Sequence, residues 1–253
     1  MKKQTNKVSL LLTEGKSDTI TYENALRSYI QEQSKKSNIK IKTIRGDLTL
    51  SHDFNNPKNV KNPIIEINKS IREAIKEKFL KETDIIGAAL ITDLDACFSD
   101  KSNFIQNDKV DEVIYDLNQN KIFYPNIDRL YQFRSEKRVN ILRIFAMGNT
   151  KINKKEIPFR LFYNSIDLEH CFYNKINQST EEKMELSEAF DDTYGVDFKK
   201  FVAFINALPS LSQDYYKTYE KGELERNAFS RLSNLSCLLE WIDELCLNQD
   251  EIS

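Results

Sequence analysis

Short apolar runs alternate with helical patterns along the first half of the chain. Residues 8–12 form a mostly apolar run that stops just before Gly15, which favours a buried strand. Residues 84–91 form a second, nearly continuous apolar run. Apolar side chains recur at helical spacing over residues 19–31 and 64–80. This alternation predicts an α/β fold with a mostly parallel sheet flanked by helices.

Several further elements follow from less regular patterns. Alternation of isoleucine with lysine predicts a half-exposed strand over residues 39–44, and the polar stretch 46–63 is predicted to be a loop. The segments 109–118 and 141–145 are predicted as a helix and a strand. A further strand is predicted over residues 159–162. Ser165 or Asp167 then caps a predicted helix that ends near residue 176.

The last third of the chain has a helical pattern throughout. Helices are predicted over residues 181–190, 198–208 and 224–247, and their apolar content is too high for a free tail. We therefore divide the chain into an α/β catalytic core with insertions, residues 1–178, and a helical C-terminal region, residues 179–253. We expect this region to pack on the core or on a partner.

Charge and composition exclude several classes of protein. The 37 Lys and Arg nearly balance the 39 Asp and Glu, so nucleic-acid binding would need a local basic patch or a bridging metal. No apolar run approaches the ~20 residues that span a bilayer, so no membrane partner is expected. The four cysteines form no Cys-x-x-Cys pair and there are only two histidines, which argues against zinc. Without a signal peptide, these thiols indicate a cytoplasmic protein.

Three acidic residues follow predicted strands. Glu14 lies just after the first apolar run, and Asp93 and Asp95 follow the run that ends at residue 91. Ligand sites of open α/β sheets form at the carboxyl ends of the strands, so the three carboxylates converge if these strands are neighbours. Residues i and i+2 of a strand point to the same side, so the two aspartates should project together. Clustered carboxylates need a cation, and all-oxygen ligands select Mg²⁺ or Mn²⁺.

These motifs resemble the Toprim domain. The segment Glu14-Gly15-Lys16-Ser17-Asp18 follows one strand and Asp93-Leu94-Asp95 follows another, as in topoisomerases, DnaG-type primases and OLD-family nucleases. The resemblance implies a Rossmann-like sheet. It also implies that Glu14 is a general acid/base or metal ligand and that Asp93 and Asp95 are a metal-binding pair. Asp18 lies where OLD-like nucleases have a second acid.

Within this group the chain looks most like the small stand-alone Toprim proteins of the RloB and AbiLii type. There a late acidic motif precedes a C-terminal helix, and Glu169 or Asp167 would match it. Topoisomerases have a third acid two residues after the aspartate pair, where this chain has Cys97. That departure, and the lack of strand-passage or primase extensions, leaves a nuclease as the preferred function.

The resemblance thus implies a Mg²⁺- or Mn²⁺-dependent endonuclease of an anti-phage, abortive-infection system. Its catalytic residues would be Glu14, Asp93 and Asp95, and the metal ligands would include these three with Asp18 and Glu169. The basic side chains Lys16, Lys137 and Arg138 are candidates for binding the backbone of DNA, RNA or tRNA.

Other functions remain open. One is a catalytically restrained binding subunit that is controlled by an ABC- or AAA-type ATPase, because the chain itself has no phosphate-binding Gly-x-x-x-x-Gly-Lys motif. Another is a primase-like nucleotidyl enzyme, since the same carboxylates could serve polymerisation. A homodimer is also possible.

Overall fold

The computed structural model describes residues 7–33, 39–45, 48–49 and 62–250. Strands and helices alternate through the first two thirds of this part, and helices dominate the rest. The strands are β1 (Lys7–Thr13), β2 (Ile39–Arg45), β3 (Ile85–Asp93), β4 (Phe104–Gln106), β5 (Ile114–Asp116), β6 (Lys121–Tyr124), β7 (Asn149–Ile152) and β8 (Lys155–Asn164). The α-helices are α1 (Lys16–Gln33), α2 (Pro63–Glu77), α3 (Ile127–Phe145), α4 (Leu168–Tyr173), α5 (Thr180–Tyr194), α6 (Phe198–Ala207), α7 (Lys221–Arg226) and α8 (Leu235–Asp250).

The central sheet has five strands in the order β2-β1-β3-β8-β7. The first four run parallel, and the edge strand β7 is antiparallel to β8. Thr13 pairs with Ile91, and Asp93 pairs with Asn164, so β1, β3 and β8 end at the same edge of the sheet. The predicted α/β fold with a mostly parallel sheet is confirmed, as are the strands predicted from residues 8, 39 and 84.

The two faces of the sheet are buried under different helices. Neighbouring residues of a strand point to opposite faces, so Leu11 and Phe162 pack beneath α1, α4, α5, α6 and α8, whereas Leu10 and Leu161 pack beneath α2, α3 and α7. Each fully buried side chain of this size contributes about 1.5–3 kcal/mol to the free energy of unfolding. Two apolar faces explain why these strands read as continuous apolar runs.

The predicted strand at residues 141–145 is wrong, because this segment is the last part of α3. Ile141 and Ile144 are both fully buried, at the i and i+3 spacing of a helix face, while Arg143 is exposed. Asn126 caps the helix by accepting a hydrogen bond from the backbone N–H of Arg129, 3.0 Å away. A short apolar run fits a strand or a buried helix equally well, and the long preceding segment decides for the helix.

The predicted helix at residues 109–118 is also wrong. The segment contains β5, which belongs to a small sheet of order β4-β6-β5. Tyr115 pairs there with Ile122, and both pack with Phe104 and Leu130 in a separate apolar cluster. Cross-strand packing therefore overrides the weak helical pattern of this segment.

The long helix predicted over residues 224–247 is interrupted. Helices α7 and α8 are separated by an irregular stretch that covers the C-terminal end of β8, which extends beyond its pairing with β7. Asn234 accepts a hydrogen bond from the backbone N–H of Tyr163 at 2.7 Å, and Ser233 forms an isolated bridge with Asn164. An open strand edge has unsatisfied backbone groups, and satisfying them outweighs helical continuity here.

The C-terminal helices lie directly on the sheet. A Cβ atom at Gly87 in β3 would be only 3.0 Å from Leu245 and 3.1 Å from Trp241 of α8, so this close approach requires glycine. Helix α5 is tied to α1 by a hydrogen bond from Asn24 to Asp191 at 2.9 Å. These contacts agree with a C-terminal region that packs on the core, while the division at residue 178 stays a prediction.

The predicted loop before α2 and the possibility of a membrane-spanning helix complete the comparison with the predicted elements. Most of the loop predicted over residues 46–63 lies outside the described residues, although its last residue begins α2, where Asn62 is the N-cap. No helix in the described ranges is long and apolar enough to cross a membrane.

Candidate active site

Acidic side chains from three neighbouring strands meet at the carboxyl-end edge of the sheet. Glu14 follows β1, Asp93 is the last residue of β3, and Asp167 lies shortly after β8. The pKa of Asp93 is raised well above its usual value, first by burial and then by repulsion from Asp18, Glu14, Asp167 and Asp95. The carboxylates predicted to converge, those of Glu14, Asp93 and Asp95, are therefore close enough to interact, and Asp18 and Asp167 join them.

Glu14 is held by side chains from three other parts of the fold. Its Oε1 accepts hydrogen bonds from the hydroxyls of Thr92 at the end of β3 and of Thr49, the latter at 3.0 Å. The ammonium of Lys137 on α3 lies 3.4 Å from the same oxygen. The carboxylate remains 20% exposed, so it is fixed in place yet accessible to water or a ligand.

Asp18 occupies the first turn of α1. Its Oδ2 accepts a hydrogen bond from the backbone N–H of Gly15 at 2.7 Å. Burial raises the pKa of Asp18, and this N–H opposes that shift. A Cβ at Gly15 would lie 3.3 Å from the same oxygen, which explains the glycine at this turn.

Unlike Glu14 and Asp95, Asp93 has no ion pair within the described part of the chain. Its Oδ1 accepts one hydrogen bond from the amide of Asn164, at 3.1 Å. The other side-chain atom of that amide, Oδ1 of Asn164, is buried and has no hydrogen-bond partner among the described residues. Asp93 is thus a partly buried carboxyl group among acids, with only a neutral partner.

Asp95 does not project beside Asp93, contrary to the i, i+2 expectation. The strand ends at Asp93, and Asp95 and Ala96 both adopt left-handed backbone conformations, with φ of 53° and 52°. The Asp95 carboxylate turns to α3, where Oδ2 lies 2.6 Å from Lys137 and 2.7 Å from Arg134. Burial alone would raise its pKa, but these two cations lower the pKa below its ordinary value.

The candidate substrate-binding lysines and arginine occupy different environments. Lys137 is only 2% exposed and contacts Glu14 and Asp95 rather than solvent. Lys16 is exposed at the start of α1, and Arg138 is half-buried on α3. Among the described residues, neither of these two side chains forms an ion pair with the acidic cluster. They remain candidates for contact with a phosphate backbone.

Glu169 lies beside a cation, Lys183, that was not among the predicted site residues. Lys183 of α5 contacts Glu169 Oε2 at 2.8 Å and Asp167 Oδ2 at 3.1 Å. Burial raises the pKa of Glu169, and its Oε1 has no hydrogen-bond partner within the described ranges. Asp167 also caps α4 by accepting from the backbone N–H of His170 at 2.8 Å.

Lys137 and Lys183 each have a recognisable sequence signal. Lys137 interrupts an apolar helical stripe between Phe133 and Ile141, and Lys183 lies four residues before the buried Ser187. A lysine on the inward face of a helix needs an acidic partner. Residues 141–145 were predicted as a strand, so Phe133, Lys137 and Ile141 were not recognised as one face of a helix.

The chemistry of these donors fits a hard cation, although the described residues do not enclose one. The cluster offers carboxylate and amide oxygens, the ligands that Mg²⁺ and Mn²⁺ prefer, including the buried oxygens of Asn164 and Glu169 that lack hydrogen-bond partners. Among the described side chains, however, no three His, Cys, Asp or Glu residues are arranged so that they could hold a metal ion. Asp93, with Asp18 or Glu14, therefore offers the best starting point for such a site.

Comparison of the chain with protein-family models, with curated proteins and with solved structures finds no match. The resemblance to the Toprim domain therefore rests on the residues around Glu14 and Asp93 and stays a prediction.

Proposed function

We propose that this chain is a metal-dependent phosphodiesterase that cleaves nucleic acid, with Glu14 and Asp93 at its catalytic centre. The observation that carries the proposal is the state of Asp93. It is a partly buried carboxyl group, surrounded by four other acids, and a neutral amide is its only side-chain partner among the described residues. Such an arrangement is unfavourable by itself and becomes favourable when a divalent cation binds.

The residues of the cluster suit hydrolysis of a phosphodiester. Bound Mg²⁺ or Mn²⁺ would neutralise the phosphate and lower the pKa of a water molecule. Asp93 would hold the ion together with Asp18. Glu14, which is fixed by two threonine hydroxyls, would accept the proton of the water that attacks phosphorus. The bond to the leaving oxygen then breaks, and that oxygen takes a proton from solvent.

The proposed substrate follows from the basic side chains near the site, and the proposed biological role from the Toprim resemblance. Lys16 and Arg138 would contact the phosphate backbone of DNA, RNA or tRNA, since the net charge of −2 provides no general attraction. A role in anti-phage defence follows from the Toprim resemblance alone. All four cysteines are buried free thiols, which suits the proposed cytoplasmic location.

A restrained form of the same protein is the second candidate function. Three cations already pair with the cluster: Arg134 and Lys137 with Asp95, and Lys183 with Asp167 and Glu169. Such pairs compete with metal binding and with phosphate binding. They favour a subunit whose activity is released by a partner, for which an ABC- or AAA-type ATPase remains the candidate.

A cleavage assay tests the first candidate. The full chain, Glu14→Gln and Asp93→Asn are incubated with Mg²⁺ or Mn²⁺ and end-labelled single-stranded DNA, duplex DNA, RNA and tRNA. We expect cleavage by the wild type and a loss of at least a hundredfold in both variants. The matched control is Glu188→Gln, a change at an exposed position of α5 that should retain full activity.

Expression in a bacterial host separates the two candidates. Growth arrest that Asp93→Ala relieves would support an unrestrained nuclease. A harmless wild-type protein that binds Mn²⁺ and cleaves nothing would support the restrained subunit. Full cleavage activity of Glu14→Gln would contradict the assignment of the site.

A further inference from the structure

The side chains of Asp93 and Asp95 point in different directions, because the backbone turns between them. Asp93 stays in the sheet, whereas two consecutive left-handed residues turn Asp95 out of the strand direction. Left-handed conformations are uncommon outside glycine, so two in succession need strong local restraints. One such restraint is a hydrogen bond from the backbone N–H of Asp95 to the carbonyl of Ile166, 2.9 Å long.

The two carboxylates consequently have opposite surroundings. Asp95 Oδ2 receives both the ammonium of Lys137 and the guanidinium of Arg134, at 2.6 and 2.7 Å. Within the part of the chain that the structure describes, the carboxylate of Asp93 accepts only from the amide of Asn164. A carboxylate that is balanced by two cations attracts a third cation weakly, because the local charge is no longer negative. Asp93 has no cation beside it, within the described residues, that would compete with a metal ion in this way.

Lys137 has a defined second contact. Its ammonium bridges Asp95 and Glu14, 3.4 Å from the glutamate oxygen that also accepts from Thr49 and Thr92. At 2% exposure, this side chain is too enclosed to serve first as a docking point for nucleic acid. Its position instead links the end of β3 to the residue proposed as proton acceptor.

Arg134 completes the support of this bridge. It lies three residues before Lys137 on α3, so both project from one face of the helix. Its guanidinium donates to the hydroxyl of Tyr115 at 3.0 Å, and that hydroxyl lies 3.4 Å from the carbonyl oxygen of Asp95. The carboxylate of Asp95 is therefore fixed from its backbone and from α3 together.

From these contacts we infer that Asp95 is a positioning residue, which holds Lys137 against Glu14 and does not bind the catalytic metal ion. This inference rests on the proposed function, because it assigns roles within the same site. It replaces the expectation that Asp93 and Asp95 bind metal as a pair. It also assigns Lys137 to the orientation of Glu14 rather than to the substrate.

Manganese binding, measured by electron paramagnetic resonance on the full chain, distinguishes the two roles of Asp95. Asp93→Asn should weaken Mn²⁺ binding at least tenfold. Asp95→Asn removes a negative charge and leaves Lys137 unbalanced, so it should also weaken binding. The double variant Asp95→Asn with Lys137→Met removes both charges and should return the dissociation constant to within about threefold of wild type.

Lys137→Met alone gives an independent expectation. It should bind Mn²⁺ at least as tightly as wild type, because a cation next to Glu14 is removed, yet cleave at least tenfold more slowly. General damage to the fold would weaken both properties. The control Asp111→Asn, at an exposed position, should change neither.

The outcomes separate failure of this inference from failure of the proposed function. If the double variant binds Mn²⁺ as weakly as Asp93→Asn, then Asp95 is a ligand and the inference is overturned. If the wild type binds no Mn²⁺, the proposed function fails, and thermal unfolding then tests the inference. In that case the double variant should melt at a higher temperature than Asp95→Asn, and an equal or lower temperature would overturn the pairing.

Discussion

Replacement of Asp93 by asparagine should make the metal-free protein more stable at pH 8. Asparagine keeps the oxygen that accepts from Asn164 but removes a charge that four neighbouring carboxylates repel. A fully buried, uncompensated charge costs about 3–5 kcal/mol. Asp93 is only partly buried, so we expect a gain of about 1–2 kcal/mol, because water still screens part of the repulsion.

The pH dependence has a definite sign. The pKa of Asp93 is higher in the folded than in the unfolded chain, so folding favours its protonated form. This contribution to stability is complete below the unfolded pKa and disappears as the pH rises through the folded pKa. The advantage of Asp93→Asn over wild type should therefore be largest at pH 8 and shrink as the pH falls toward 4.

The assay is thermal unfolding, followed by circular dichroism in buffer with a chelator. For a chain of this length, about 1–2 kcal/mol corresponds to roughly 2–8 °C in melting temperature. Saturating Mg²⁺ at about 100 times its dissociation constant should stabilise the wild type by about 2.7 kcal/mol, and the variant, with an affinity at least tenfold lower, by about 1.4 kcal/mol or less. The exposed control Asp111→Asn should stay within about 0.5 kcal/mol of wild type. A lower melting temperature for Asp93→Asn than for this control at pH 8 would refute the reasoning.

Three other predictions concern the packing of the C-terminal region. Gly87→Val should destabilise the fold by about 1–3 kcal/mol, because its new atoms meet Trp241 of α8; an unchanged urea midpoint would contradict this packing. Lys183→Met should lower the free energy of unfolding by about 3 kcal/mol, because Glu169 is then buried without its cation. Adding Glu169→Gln to this variant should recover part of that loss, as measured by the same urea titration. A fragment of residues 1–178 should be insoluble or lack near-ultraviolet circular dichroism, because it lacks α5, α6 and α8, which cover one face of the sheet. A fragment that melts cooperatively and is active would show that residues 179–253 form a separate module.

Local sequence patterns predicted most of the central architecture. Strands β1 and β3 are buried on both faces, so their apolar runs were unambiguous. The amphipathic stripe of α2 and the helical pattern of α5 were likewise visible from spacing alone. Two kinds of segment were predicted wrongly. The apolar stretch at the end of α3 has a pattern that fits either a strand or a buried helix, and β5 forms because of pairing with a strand elsewhere in the chain.

The sequence by itself determined that Glu14 and Asp93 would meet, because the carboxyl ends of neighbouring parallel strands lie at the same edge of a sheet. It did not determine the direction of Asp95, since the left-handed turn after β3 depends on a contact with the chain after β8. Nor did it determine that Lys137 and Lys183 balance the acids, because these lysines come from helices distant in sequence. Charge balance in a buried cluster depends on distances between side chains, and only the tertiary structure sets those distances.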